Sequence, residues 1–197
     1  MELIVITHPD YFIGEGKLIN ALFDAGLQLL HLRKPGNDVV KFMLLMKEIN
    51  PVYYPAISIH QHHELADMFL INRLHYPEKL WEVTGEQRKI ELFAKGFHLS
   101  RSIHKWGPLT DTAFLDYGFF GPVFNSISKE GYHSIVDKDF YLSDVPAGLK
   151  VFGLGGITAD LFTVLKRMNF NGAAVLGALW NHPSNALEEF EKMFKSI

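Results

Sequence analysis

Short apolar runs alternate with amphipathic segments along the whole length of the chain. Apolar stretches fall at 2–7, 28–32, 55–60, 69–75, 97–102, 117–121, 150–154 and 172–177, each continuous, as expected of strands covered on both faces. Between them, apolar positions recur at helical spacing. Over 15–25, Leu18, Ala21, Leu22 and Ala25 share one face and Gly26 marks the stop. Segments 38–49, 62–68, 159–168 and 184–196 repeat the pattern, and 80–95 and 106–115 show a weaker version of it. No low-complexity linker interrupts the series, so residues 1–197 read as a single domain.

Eight strands alternating with helices in 197 residues leave ~25 residues per unit, near the lower size limit of a (β/α)8 barrel, for which ~250 residues are typical. The competing arrangement is an open doubly wound sheet with fewer strands. A dinucleotide-binding sheet of that kind carries Gly-x-Gly-x-x-Gly after its first strand, whereas Thr7-His8-Pro9-Asp10 stands there in this chain. The pattern therefore predicts a compact (β/α)8 TIM barrel.

Composition narrows the function. With 48% hydrophobic residues and 16 Phe the chain can close a core. A net charge of -3 without a basic run argues against a nucleic-acid partner. The absence of cysteine excludes disulfides, thiolate metal sites and cysteine nucleophiles. Met1 to Thr7 lacks a basic region and reads as a buried strand, not a signal peptide, so a soluble cytoplasmic protein with no membrane partner is expected.

A barrel of this kind works at the carboxyl ends of its strands, and polar residues gather there. They include Thr7, His8, His31, Arg33, Lys34, His60, His62, His75, Ser102 and His104. Arg33 and Lys34 follow a strand and suit a carboxylate or phosphate, or else a rim ion pair. His60-Gln61-His62-His63 has metal-like spacing, with His75, His104 or Glu64 as a third ligand. Polar pocket walls are the simpler reading, and no metal ligand is assigned. Ser102 and His104 place a hydroxyl and an imidazole two residues apart, and the imidazole is either a proton shuttle or a structural group. No serine sits in a nucleophile elbow. The strand ending at Phe120 runs into Gly121-Pro122-Val123-Phe124-Asn125-Ser126-Ile127-Ser128-Lys129. The next two strands end in Gly155-Gly156 and Gly177-Ala178 just before helices. Serine hydroxyls with backbone N–H groups at helix starts make a phosphate site, so a small phosphorylated ligand is expected.

With these positions in place, the chain resembles the thiamine phosphate synthase and TenI-like superfamily over essentially its whole length. Synthases typically carry Gln-Leu-Arg-Glu-Lys at the second strand, Ile-Asn-Asp-Arg at the third and His-Leu-Gly-Gln followed by Asp at the fourth. Ser-x-His follows at the fifth, Gly-Pro-x-Phe-Pro-Thr-x-Thr-Lys at the sixth and Gly-Gly-Ile at the seventh. The resemblance implies that Ser126 and Ser128 replace the threonines holding a thiazole phosphate, that Gly155, Gly156, Gly177 and Ala178 supply its backbone donors, and that Lys129 keeps the family lysine. It further implies that Arg33 keeps the arginine that contacts pyrophosphate and that Ser102 and His104 keep the Ser-x-His pair.

The departures concern the Mg²⁺ half of a synthase site. Gln61 stands for the first aspartate, His60 and His62 flank it, and His75-Tyr76-Pro77-Glu78 lacks the second. Pro35 stands where the second-strand lysine belongs, with Lys34 one position earlier. That combination looks like the TenI-like branch, which aromatises a carboxylated thiazole phosphate by moving a proton. The resemblance implies His104 as the shuttle, Arg33 or Lys34 on the substrate carboxylate, Lys129 beside them and His8, His31, His60, His62 and Ser102 as pocket walls, with no cofactor. A synthase needing Mg²⁺, with Glu78 or Glu64 as a ligand, is the alternative, and a non-catalytic binder of thiamine phosphates is a third. By resemblance, a homodimer is expected.

Overall fold

A computed structural model describes residues 1–107, 112–125, 133–137 and 139–197. Eight parallel strands close on themselves in sequence order: β1 (Glu2–Ile6), β2 (Leu30–Leu32), β3 (Ile57–Ile59), β4 (Arg73–Tyr76), β5 (His98–Ile103), β6 (Tyr117–Phe120), β7 (Lys150–Leu154) and β8 (Gly172–Val175). β1 pairs with β2 through Val5 and Leu30 and with β8 through Val5 and Val175, which closes the barrel. The helices on the outside are α1 (Glu15–Asp24), α2 (Val39–Glu48), α3 (Glu78–Val83), α4 (Glu86–Ala94), α5 (Phe162–Arg167), α6 (Gly177–Trp180) and α7 (Ala186–Phe194). This is the compact (β/α)8 TIM barrel that the alternation of segments predicts. No described helix is long and apolar enough to cross a membrane.

Local chemistry explains the helix ends. Asp38 caps α2 by accepting the Lys41 N–H at 3.0 Å. In α7, Ala186, Phe190 and Met193 recur at i, i+4 and i+7 and are buried, with Glu188 and Glu189 in the first turn and Lys192 in the last. In α1 the buried stripe is Glu15, Ile19, Leu22 and Phe23, while Leu18, Ala21 and Ala25 are half-buried. The helix is rotated from the expected face because buried Glu15 turns inward to a partner on the barrel.

Several boundaries differ from expectation. Segment 62–68 is not an α-helix: His62 takes a left-handed φ of 57°, and only a 3-10 turn follows at His63–Leu65. The His63 Nε2–H donates to the carbonyls of Ile59 at 3.1 Å and His75 at 3.2 Å, pinning this short connection to the barrel. Segment 69–75 becomes a strand only from Arg73, and buried Phe69 and Ile71 belong to the preceding turn. The weak pattern over 80–95 resolves into α3 and α4, broken at extended Thr84 and Gly85. The described part of 106–115 carries no helix.

The strands of one half of the barrel are not continuous apolar runs in effect. On β2 to β5, Leu30, Leu32, Ile57, Ile59, Leu74 and Leu99 pack outward in the main core, while His31, Ser58, His75 and Ser100, with His60 just past β3, are buried. Side chains alternate along a strand, so these polar residues face the barrel interior. The opposite half of the interior is apolar: Ile4, Ile6, Tyr117, Phe119, Phe152 and Ala174 form a second cluster. The barrel thus has a polar side and an apolar side before any ligand is considered.

Candidate active site

A cavity of about 360 Å³ opens at the carboxyl ends of the strands. Its floor is apolar, made by Ile6, Phe119, Leu154, Ala174 and Leu176. One wall is largely main chain, from Gly121, Gly155, Gly156, Gly177 and Ala178. The facing wall is basic and polar, from Arg33, His60, His75, Ser102 and His104.

The glycine wall is tied together by backbone bonds between the β6 and β7 loops: Val123 N–H to Leu154 O at 2.8 Å and Phe124 N–H to Gly155 O at 3.1 Å. Gly155 and Gly156 have φ of 99° and 64°. A Cβ at Gly156 would sit 2.2 Å from the Asn125 carbonyl oxygen, so a side chain is excluded by both conformation and contact. Gly177 opens α6: the Leu179 and Trp180 N–H groups bond the Leu176 carbonyl, while Gly177 and Ala178 border the cavity. Such main-chain donors bordering a cavity suit an anion.

On the polar side of the barrel interior the buried imidazoles of His31, His60 and His75 are held neutral. Burial drives His31 and His60 well below the ordinary histidine value, and it pushes His75 down to about 3, with His63 and Arg33 adding to the effect on His75. His31 Nδ1 meets His60 Nε2 at 2.9 Å, and His31 Nε2 meets the Tyr117 hydroxyl at 2.7 Å. His75 bonds Ser100 Oγ at 2.9 Å through Nδ1 and Ser102 Oγ at 3.1 Å through Nε2, stacking on His60 with ring centroids 4.1 Å apart. Burial pushes Tyr117 up to about 12, so its hydroxyl stays protonated.

His104 is different in kind. It is exposed at the cavity wall, and its Nδ1 lies 3.2 Å from the Gly121 carbonyl. A carbonyl only accepts, so Nδ1 carries the hydrogen, and in the neutral ring the lone pair belongs to Nε2. Its backbone N–H donates to Glu78 Oε1 at 3.3 Å, which anchors the loop after β5.

Other residues singled out in the sequence lie elsewhere. Lys34 is fully buried and turned away from the cavity, with Nζ 2.6 Å from Glu15 Oε1 and bonded to the carbonyls of His8 and Asp10. His8 accepts the Asp10 N–H and stays within its own loop. His62 packs on Phe42 and pairs with Glu64 at 3.3 Å. His31 lies outside the cavity lining, behind His60. Ser126, Ser128 and Lys129 lie outside the described residues. The apolar floor went unanticipated, as did the grouping of His31 with His75. Inward alternation on β2 and β4 is the signal that could have found that grouping.

The donors do not fit Mg²⁺, which takes oxygen ligands and usually one or two carboxylates. Among the described residues no Asp or Glu lines the cavity. Gln61 Oε1 accepts the Lys34 N–H at 2.8 Å, the Glu64 side chain is 69% exposed beside His62, and Glu78 holds the His104 backbone.

No protein-family model matches the chain, and no curated protein matches it. Among solved structures it is similar to thiamine phosphate pyrophosphorylase from Bacteroides thetaiotaomicron, with 27% identity and a TM-score of 0.75, covering 100% of this chain and 97% of that one. It is also similar to thiamine phosphate pyrophosphorylase from Pyrococcus furiosus, with 15% identity and a TM-score of 0.73 over 99% and 94% of the two chains. A third similar structure is 3-keto-L-gulonate-6-phosphate decarboxylase from Vibrio cholerae, with 11% identity and a TM-score of 0.63 over 99% and 96%. The last two speak to the fold. The first supports the thiamine phosphate synthase and TenI-like superfamily, and with it an enzyme of thiamine biosynthesis.

Proposed function

We propose that this chain binds a thiazole phosphate and catalyses the proton transfer that aromatises its carboxylated form. The observation that carries the reading is His104, an exposed imidazole on the cavity wall whose Nδ1–H is fixed on Gly121 O. Its Nε2 is left as a base between an anion-binding glycine wall and a basic wall. In the proposed arrangement the phosphate sits against Gly155, Gly156, Gly177 and Ala178, the flat ring lies over Phe119 and Leu176, and the Arg33 guanidinium takes the carboxylate. His104 Nε2 removes a proton from one carbon and returns it to another as the ring electrons rearrange. Atoms and charge balance without a co-reactant. Holding base and carbon in one geometry is the main source of acceleration.

Mg²⁺ has no part in this reading, because the described lining offers no carboxylate. The alternative is thiamine phosphate synthesis from a pyrimidine pyrophosphate and thiazole phosphate, favoured by the name of the 27% identical structure. Two assays on one preparation separate them. Carboxythiazole phosphate is incubated without added Mg²⁺, and thiazole phosphate with pyrimidine pyrophosphate is incubated with it. Conversion in the first alone is the expected result. Thiamine phosphate formed in the second would establish the synthase instead.

A further inference from the structure

The polar half of the barrel interior contains a group of side chains that the proton chemistry at His104 does not use. His31 and His75 lie on β2 and β4, His60 directly follows β3 between them, and all three are buried. One ring nitrogen from each lies within 4.8 Å of the others. We propose that these three histidines form a binding site for a borderline divalent transition-metal ion of the Zn²⁺, Co²⁺ or Ni²⁺ class, open to the cavity on its fourth side.

The donor set fits that class and no harder ion: three imidazole nitrogens with no carboxylate suit Zn²⁺ and its neighbours, whereas Mg²⁺ and Ca²⁺ require oxygen. Bonds of ~2.0–2.1 Å to a tetrahedral ion place ligand nitrogens about 3.3 Å apart. The His31 Nδ1 to His60 Nε2 separation of 2.9 Å and the 4.8 Å limit of the group bracket that distance. Reaching it requires a turn of the His60 or His75 ring, because the two are stacked with centroids 4.1 Å apart.

The surroundings prepare the lone pairs. A metal-binding histidine commonly donates its other N–H to a fixed acceptor, which sets the tautomer. His31 Nε2 lies 2.7 Å from the Tyr117 hydroxyl and His75 Nδ1 lies 2.9 Å from Ser100 Oγ. With hydrogens on those nitrogens, His31 Nδ1 accepts the His60 Nε2–H and His75 Nε2 accepts the Ser102 hydroxyl, so an entering ion takes the place of these two hydrogen bonds and His60 carries its hydrogen on Nδ1 instead. Burial also keeps all three rings neutral, the state that ligates. His60 and His75 line the cavity, which supplies an entry path and an open position. The charges of Arg33 and Arg73 act on this cluster and oppose a dication. An anionic fourth ligand from the cavity offsets them.

The test is direct binding to metal-stripped full-length protein, read by equilibrium dialysis with elemental analysis for Zn²⁺ and by visible ligand-field bands for Co²⁺. One ion per chain is expected, with four-coordinate Co²⁺ bands. Binding should be lost in His60→Ala and in His75→Ala, each checked by circular dichroism, and retained in His62→Ala. Tyr117→Phe should weaken it ~10–100-fold by freeing the His31 ring. Should the alanine variants unfold, X-ray absorption of the Zn²⁺-loaded wild type decides, three imidazole nitrogens at ~2.0–2.1 Å being expected. Absence of stoichiometric binding by the wild type overturns the proposal, as does an ion that persists in folded His60→Ala and His75→Ala. Neither result bears on the metal-free assay of His104 chemistry, so the two readings fail separately.

Discussion

Lys34 Nζ lies 2.6 Å from Glu15 Oε1, with both side chains essentially removed from solvent. The ammonium also bonds the carbonyls of His8 and Asp10 and sits 4.6 Å from the centre of the Tyr11 ring. One lysine thus ties the end of β2 to the loop after β1 and to the start of α1. Burial raises the Glu15 carboxyl and lowers Lys34, while each partner opposes the other's shift. Removing one member leaves a buried charge without compensation, which costs about 3–5 kcal/mol. Lys34→Ala should therefore lower stability by that amount in denaturant melts. The double variant Lys34→Met with Glu15→Leu should recover most of the loss. A Lys34→Ala protein of unchanged stability would show that the pair does not form.

The buried histidines set an acid limit on stability. For His75 the folded value is about 3 against an ordinary 6.5, so between those values the unfolded chain binds a proton that the native protein does not. Stability then rises with pH, by ~1.4 kcal/mol per unit for one such group. His31 and His60 act in the same direction. Their contribution is fully present above pH 6.5 and is lost progressively as the pH falls toward 3. Urea melts of the metal-free protein at pH 7.5, 6 and 5 should show a falling midpoint below 6.5, and His75→Gln should flatten the slope.

Substitution at Gly156 should separate the backbone wall from the rest of the fold. Its φ of 64° and the 2.2 Å approach of a Cβ to Asn125 O mean that Gly156→Ala must shift the β7 loop. A stability loss of about 1–3 kcal/mol is expected. Affinity for thiazole phosphate should fall ~10–100-fold through loss of a charge-assisted hydrogen bond. Calorimetric titration checks the second figure, and unaltered affinity would remove this wall from the phosphate site.

At the opposite wall, Arg33→Met should raise KM for the carboxylated substrate ~10–100-fold while leaving the melting curve near wild type, because a half-buried rim residue contributes little to packing. Arg33→Lys keeps the charge but loses the two-pronged geometry and should recover only part of the effect.

His104→Ala should reduce kcat for the metal-free reaction by ~10²–10⁴, the range for loss of a general base. KM should change little, since the phosphate and carboxylate contacts lie elsewhere. An equal loss in His62→Ala would contradict the assignment, because His62 faces Phe42 and Glu64, outside the cavity lining.

Much of the architecture was legible in the sequence because local rules produce it. The alternation of apolar runs and amphipathic segments predicts eight strands and a barrel, and the glycines after β7 announce a turn that no side chain fits. The apolar spacing over 62–68 is helical, yet the conformation there is set by His63 bonding the carbonyls of Ile59 and His75. Arg33 and Lys34 are consecutive, so they leave β2 toward opposite sides, and residue type alone could not say which reaches the cavity.

By itself, then, the sequence determined the barrel, the end of it where polar residues gather and the glycine turns, all consequences of periodicity within short stretches of chain. Tertiary closure decided which of those residues meet. His31 bonds His60 across 29 positions and Tyr117 across 86, and Lys34 turns to Glu15, 19 positions earlier. These partners lie on different units of the barrel. Their meeting depends on the register in which β2 to β6 pair and on the inward face that strand alternation gives each residue, and no local pattern encodes that register.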